Sequence, residues 1–343
     1  MSAPTITTLG EFLQAGQAEY KIFDIGRCLT ELSQDDFAAI EHQQRPYPYP
    51  IARQAQLAIL FQHKQHDQQP FIWFLQFPLD ERGLLNLAAR NQYLEYVVNA
   101  LGHEITGEMT EEQQKQLQQN PYLLTPNEHQ RAALHARVQR QLKLSPSIHF
   151  ETAEAYLKHP KADIDWQQIG LQGLHDCAAR LEQLPELSEA IATHFSTYPK
   201  AVRQPLAVAL EQQNITPRLR DSLLEYVKSN DALLCTDSLR ALASVAAHPR
   251  VQKSVNETIP DANADQLVVV AARLWPVLND EHSLLSYLDA IASLDNALFD
   301  ALFQDIIALP DIRPLLLSIL AQQKQSDAVG EALNRLKQQT RSA

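Results

Sequence analysis

The chain has 343 residues, 45% of them hydrophobic and 20% charged, as in ordinary globular proteins, and its length suits about two domains. Its 41 acidic and 29 basic side chains leave a net charge of −12, which repels phosphodiester backbones and anionic membranes and favours basic or neutral partners. Cys28, Cys177 and Cys235 are few and scattered, which excludes a disulfide framework and a thiolate metal site.

The first hundred residues read as mixed α and β. Thr8 to Leu13 predicts a short helix, and Tyr20 to Leu32, rich in β-formers around Gly26, a bent strand or tight hairpin. Ser33 caps the next helix, with Asp35 and Asp36 in its first turn. Three prolines between Arg45 and Pro50 make that segment an extended connector. Leu57, Ile59 and Phe61 alternate along one strand and Phe71, Trp73, Leu75 and Phe77 along another, with a polar tip at His63 to Gln69. Ala58, Leu60, Ile72 and Phe74 make the second face apolar too, so the sheet needs cover on both sides. Asp80 is expected to start a long helix that Gly102 ends.

A glutamine-rich turn of helix, Glu108 to Gln119, lies in the connector that follows. Thr125-Pro126-Asn127-Glu128 reads as a capping box with proline in the first turn, opening a helix to about Lys143. A short element spans Ile148 to Lys158. From Asp165 onwards apolar stripes recur in hairpins of roughly thirty to thirty-five residues, with Pro185, Pro199, Pro249 and Pro310 starting partner helices. The expected fold is α+β and mostly α: a small antiparallel sheet domain over residues 1–104, a helical connector over 105–164, and an irregular HEAT-like α-solenoid over 165–343.

Several N-terminal strings are distinctive: Thr8-Leu9-Gly10-Glu11-Phe12, Phe23-Asp24-Ile25-Gly26-Arg27, Pro46-Tyr47-Pro48-Tyr49-Pro50, and Trp73 through Gly83. On these strings and its length the chain resembles, over nearly its whole extent, the gammaproteobacterial domain-of-unknown-function 3549 family. The resemblance implies a bacterial cytoplasmic setting and no particular chemistry.

No nucleophile elbow, Walker or dinucleotide fingerprint occurs, so no catalytic residue and no cofactor is assigned. His63, His66 and Asp67 come nearest to a metal pattern, but a polar hairpin tip explains them better and no metal site is assigned. Asp24, Arg27, Asp80, Glu81 and Arg82 could gather at one end of the sheet. They form either a polar pocket for a small ligand or an enzyme, or a scaffold of caps and ion pairs. Arg131, Arg137, Arg140 and Lys143 make the helix after Thr125 the most basic stretch, a nucleic-acid contact in the alternative reading and a solvated face in the preferred one.

Between Arg273 and Arg313 there is no lysine or arginine, while Asp289, Asp295, Asp300 and Asp305 fall inside. Repeats set loops on common edges, so these carboxylates are expected to form an acidic rim that recruits a basic protein partner, with Trp275 as anchor. Tyr47, Tyr49, Tyr198 and Trp275, each beside a proline, are expected to be partly exposed. The functional expectation is a non-catalytic, cytoplasmic protein-binding adaptor that does not bind nucleic acid or insert in a membrane.

Overall fold

The computed structural model describes residues 6–63, 70–101, 120–160 and 165–342. It is α+β and mostly α, in two compact units: residues 1–126 with 308–310, and residues 127–307 with 311–343. The glutamine-rich 108–119 segment and most of the 63–69 tip lie outside the described residues.

In the first unit α1 (Leu9–Ala15) and α2 (Gln34–Glu41) flank the hairpin of β1 (Ala18–Asp24) and β2 (Thr30–Leu32). Long strands β3 (Gln54–His63) and β4 (Phe71–Pro78) follow, then α3 (Leu87–Leu101). The sheet is antiparallel in the order β2-β1-β3-β4, with Ile22 opposite Ile59 and Ile59 opposite Trp73. That register puts Ile22, Leu57, Ile59, Phe61, Leu75 and Phe77 in one core with Phe12, Phe37 and Tyr93, each fully buried aliphatic or aromatic residue stabilising the fold by roughly 1.5–3 kcal/mol. Phe23, Ala58 and Leu60 on the other face are buried as well.

A buried carboxylate ties the helices together. Glu41 accepts the N–H groups of Leu9 (2.7 Å) and Gly10 (3.1 Å) at the N-terminus of α1, where the helix dipole favours negative charge, and faces the Arg90 guanidinium of α3 at 3.6 Å. Ser33 caps α2 as its sequence indicates. Asp80 does not start a helix. Its carboxylate takes the N–H groups of Arg82 and Leu84 within a turn that Gly83, at φ +79°, allows, and the helix begins at Leu87.

The second unit is a two-layer stack. One layer holds α4 (Glu128–Gln141), α6 (Leu171–Ala179), α8 (Lys200–Glu211), α10 (Ala232–Ala241), α12 (Ala264–Arg273), α14 (Asn296–Ile307) and α16 (Asp327–Ser342). The other holds α5 (Phe150–Lys158), α7 (Pro185–His194), α9 (Pro217–Val227), α11 (Pro249–Thr258), α13 (Glu281–Leu294) and α15 (Arg313–Ala321). The helices at 128–141 and 150–158 therefore belong to the stack and are not a separate connector, because α4 packs on α6 and α5 on both α6 and α7. Asn127, not Thr125, caps α4, in a reciprocal box with Gln130. Pro126 lies just outside the helix, leaving the third residue after Asn127 to close the box.

The repeat is more regular than the apolar stripes suggest. Helices α7, α9, α11, α13 and α15 start at residues 185, 217, 249, 281 and 313, an interval of 32 throughout. Proline occupies the first position of the first three, where its missing N–H costs nothing. Equivalent core positions recur at the same interval: Ala178, Leu210, Leu242, Leu274 and Ile306 in one layer, Ile191, Leu223, Val255, Tyr287 and Ile319 in the other. Hydrogen-bonded staples recur with them. Glu189–Arg218 (3.4 Å) and Asp221–Arg250 (2.7 Å) are the same contact one repeat apart, as are Ser188–Thr216 and Arg220–His248.

Candidate functional site

A polar network of the helical unit sits at the end of α8, among four helices of one layer. Glu211 closes α8 with its carboxylate almost wholly enclosed. Arg240 of α10 donates Nε–H to Oε2 at 2.7 Å, Arg273 of α12 donates Nε–H to Oε1 at 3.2 Å, and Gln212 Nε2 donates to Oε1 at 2.8 Å. Arg137 of α4 reaches the same helix end, donating to the Gln212 carbonyl (3.0 Å) and to Gln213 Oε1 (3.1 Å). Three guanidinium groups thus converge on the end of α8 around one carboxylate. Each contact is charge-assisted, and together they bind repeats that are not sequence neighbours.

Two histidines border this network. His129 Nδ1 of α4 lies 3.1 Å from His175 Nε2 of α6, so one of the facing nitrogens carries the shared proton. Burial holds the His129 imidazole below the usual histidine range, with the Arg240 charge adding to the effect. Burial and then the neighbouring His129 push His175 down to about 3. Both rings are neutral at physiological pH. A second enclosed pair, Arg203 Nε to Asp237 Oδ2 at 2.7 Å, joins α8 to α10; burial nevertheless raises the Asp237 carboxyl.

The five polar residues expected at one end of the sheet do not form one site. Asp24 ends β1 on the core-facing side and is fully buried. Tyr47 donates its hydroxyl to Oδ1 at 2.5 Å, and the N–H groups of Arg27 and Cys28 approach Oδ2 at 3.3 and 3.4 Å. Burial pushes its carboxyl up to about 7 against those hydrogen bonds. Arg27 is equally enclosed, and its Nε donates to the Pro50 carbonyl at 2.6 Å, fastening the proline-tyrosine connector. Asp80, Glu81 and Arg82 lie exposed in their own turn. Neither side chain of this enclosed pair reaches solvent.

The acidic run is also largely absorbed by the fold. Asp295 caps α14 through Leu298 N–H, Asp300 pairs with Arg335 at 3.1 Å, and Asp289 accepts the Ser326 hydroxyl at 2.6 Å. Asp305 lies on α14 close enough to Tyr287 to raise its phenol further. Trp275 is only 6% exposed, inside a short helical turn, and does not present an anchor. Tyr47 and Tyr198 are likewise buried, because a turn proline fixes the backbone without turning its neighbour outward. On the basic helix, Arg137 and Arg140 are engaged, Arg140 with the Ala179 carbonyl and Glu182, which breaks up a continuous cationic face.

An open groove of about 450 Å³ runs along α13 in the second unit. His282, Ser286, Asp289, Ala290 and Ser293 line it at helical spacing, and Leu294, 49% exposed, stands at its end. Neither this groove nor the Glu211 network carries a sequence motif. Both arise from residues on elements that meet only in the folded stack. Among the described residues no group of three or more histidine, cysteine, aspartate or glutamate side chains is placed to hold a metal ion, and no helix is long and apolar enough to cross a membrane.

No curated protein and no solved structure matches the chain. One family model does, described as "Protein of unknown function (DUF3549)", and it aligns with residues 4–337. Covering both the sheet unit and nearly all of the helical stack, that match places the chain in the DUF3549 family.

Proposed function

We propose that the protein is a non-catalytic, protein-binding adaptor of the bacterial cytoplasm, with the HEAT-like helical stack as its binding element. The observation that carries this reading is the groove along α13. Its floor of small side chains, Ser286, Ala290 and Ser293, lets a second backbone approach closely, as helix-in-groove recognition requires. Leu294 supplies an apolar contact at one end, and Asp289 a carboxylate that favours a basic side chain on the partner. Of the four aspartates expected to act electrostatically, Asp289 is the one that lines the groove, and it keeps its negative charge while accepting the Ser326 hydroxyl.

The test is affinity capture from cytoplasmic extract with wild type, Ala290→Trp and Leu294→Asp side by side. A protein held by wild type and lost from both variants, with helicity by circular dichroism unchanged, supports the reading. Identical captured sets from all three would refute it.

A further inference from the structure

The Glu211 network has a property that stapling alone does not demand. Arg240 and Arg273 are both pinned by Nε to the same carboxylate, from helices one and two repeats further along the layer. Arg240 is held by Nε and, at 3.5 Å, by Nη2, while Arg273 is held by Nε and donates Nη1–H to the Ala272 carbonyl, so each guanidinium plane is fixed and one outer nitrogen of each is left over. Among the described residues, Arg240 Nη1 and Arg273 Nη2 have no protein partner and keep some solvent access, and their side chains are 34% and 19% exposed. Two guanidinium groups share the single Glu211 carboxylate, in a chain of net charge −12.

Equivalent positions show that the repeat does not need this arrangement. One, two and three repeats on, and one before, the place of Glu211 is taken by Ala243, Trp275, Ile307 and Ala179. Replacing a buried ion cluster with apolar groups is often neutral or stabilising, so packing by itself favours the apolar version. One remaining outer nitrogen from each of two pre-oriented guanidinium planes gives two prongs for an oxygen anion, an arrangement that a flexible lysine cannot reproduce. The neutral His129 ring, fixed by His175, borders the same surface and is free of positive charge that would need its own partner.

The geometry points to an oxyanion-binding site on this layer, in which Arg240 and Arg273 clamp a phosphate or carboxylate group and buried Glu211 positions them. It stands independently of the groove along α13, which lies in the other layer.

The full-length protein is titrated with inorganic phosphate and, separately, with succinate, by isothermal calorimetry at low ionic strength. Saturable binding of one or both is expected, and the stronger ligand tells a phosphate source from a carboxylate source. Arg240→Lys and Arg273→Lys keep the charge but lose the fixed guanidinium plane and its remaining N–H group, and each should weaken binding about tenfold or more. No saturable binding of either ion, or affinity unchanged in both variants, overturns the site. Should a variant fail to fold, the arginine side-chain ¹⁵N resonances of wild type decide. Phosphate- or succinate-dependent shifts must include Arg240 and Arg273, and shifts confined to other arginines overturn the assignment equally.

Discussion

Removing the two arginines of the α8 network should cost more together than the separate losses predict. Glu211 is enclosed, and its carboxylate is neutralised from two sides at 2.7 and 3.2 Å. Arg273→Met leaves Arg240 in place, so the carboxylate stays paired and the loss is about 1 kcal/mol, the scale of one charge-assisted bond discounted for a partly exposed partner. Arg240→Met leaves Arg273 and should cost a similar amount. The double variant strands a buried carboxylate with only Gln212 as donor, and breaking a buried pair in that way costs about 3–5 kcal/mol. The double loss should therefore exceed the sum of the singles by about 1–3 kcal/mol, which for a unit of this size is several degrees in Tm. Urea denaturation followed by helical circular dichroism on the four members of the cycle measures it. Additivity within about 0.5 kcal/mol would show that Glu211 is not shared, and that the two guanidinium groups act separately.

Three further outcomes follow from the local geometry. Asp24 has its pKa raised to about 7 by burial, so the folded form binds a proton that the unfolded chain has already released near its ordinary value. Its contribution is fully present below the unfolded pKa and is lost as pH rises through about 7. Stability should fall by about 2 kcal/mol between pH of about 5.5 and about 8, Asp24→Asn should flatten that slope, and an identical slope in the variant rejects the assignment. Ala52 and Arg53 turn into β3 with φ of 47° and 58° and no glycine or asparagine to relieve the strain. The pair Ala52→Asn with Arg53→Gly should raise stability by about 1–2 kcal/mol in urea melts, and a lower midpoint would show that the turn is not strained. A Cβ on Gly173 would sit 2.4 Å from the His149 carbonyl oxygen and 2.9 Å from Ala153 Cβ. Gly173→Ala should therefore destabilise by about 1–3 kcal/mol by forcing α5 from α6, and an unshifted melting curve would mean that the two helices separate freely.

The parts of the fold that could be read from sequence are those set by local rules. Ser33 followed by two aspartates marks a helix start, and alternation at Leu57, Ile59 and Phe61 marks a strand, because caps and two-residue periodicity act over a few residues. Asp80 misleads for the same local reason: an aspartate before an apolar stripe serves equally to close a turn, and Gly83 decides in favour of the turn. The hairpin at Ala52-Arg53 could not be read at all, since neither residue favours the backbone it adopts and only β3 pairing imposes it. The 32-residue interval was present in Pro185, Pro217 and Pro249. It is obscured when Pro217 is passed over and Pro199 and Pro310, which are not first helical positions of that layer, are counted with Pro185 and Pro249.

The Glu211 network was hidden for a different reason. Glu211 and Arg240 lie 29 residues apart, the same separation as the exposed pairs Glu189–Arg218 and Asp221–Arg250, so spacing cannot distinguish an enclosed carboxylate from a surface one. Phase within the repeat can. Counting from the buried series Ala178, Leu210, Leu242, Leu274 and Ile306, the next residue is Ala179, Glu211, Ala243, Trp275 and Ile307, and a single charge interrupts an apolar column. Arg203 interrupts another column in the same way, among Leu171, Cys235, Leu267 and Phe299, and it too proves to be enclosed and paired. In a stack whose repeats satisfy the same packing rule, buried charge appears first as a departure from the column. Such departures are where a polar task has displaced the residue that packing prefers.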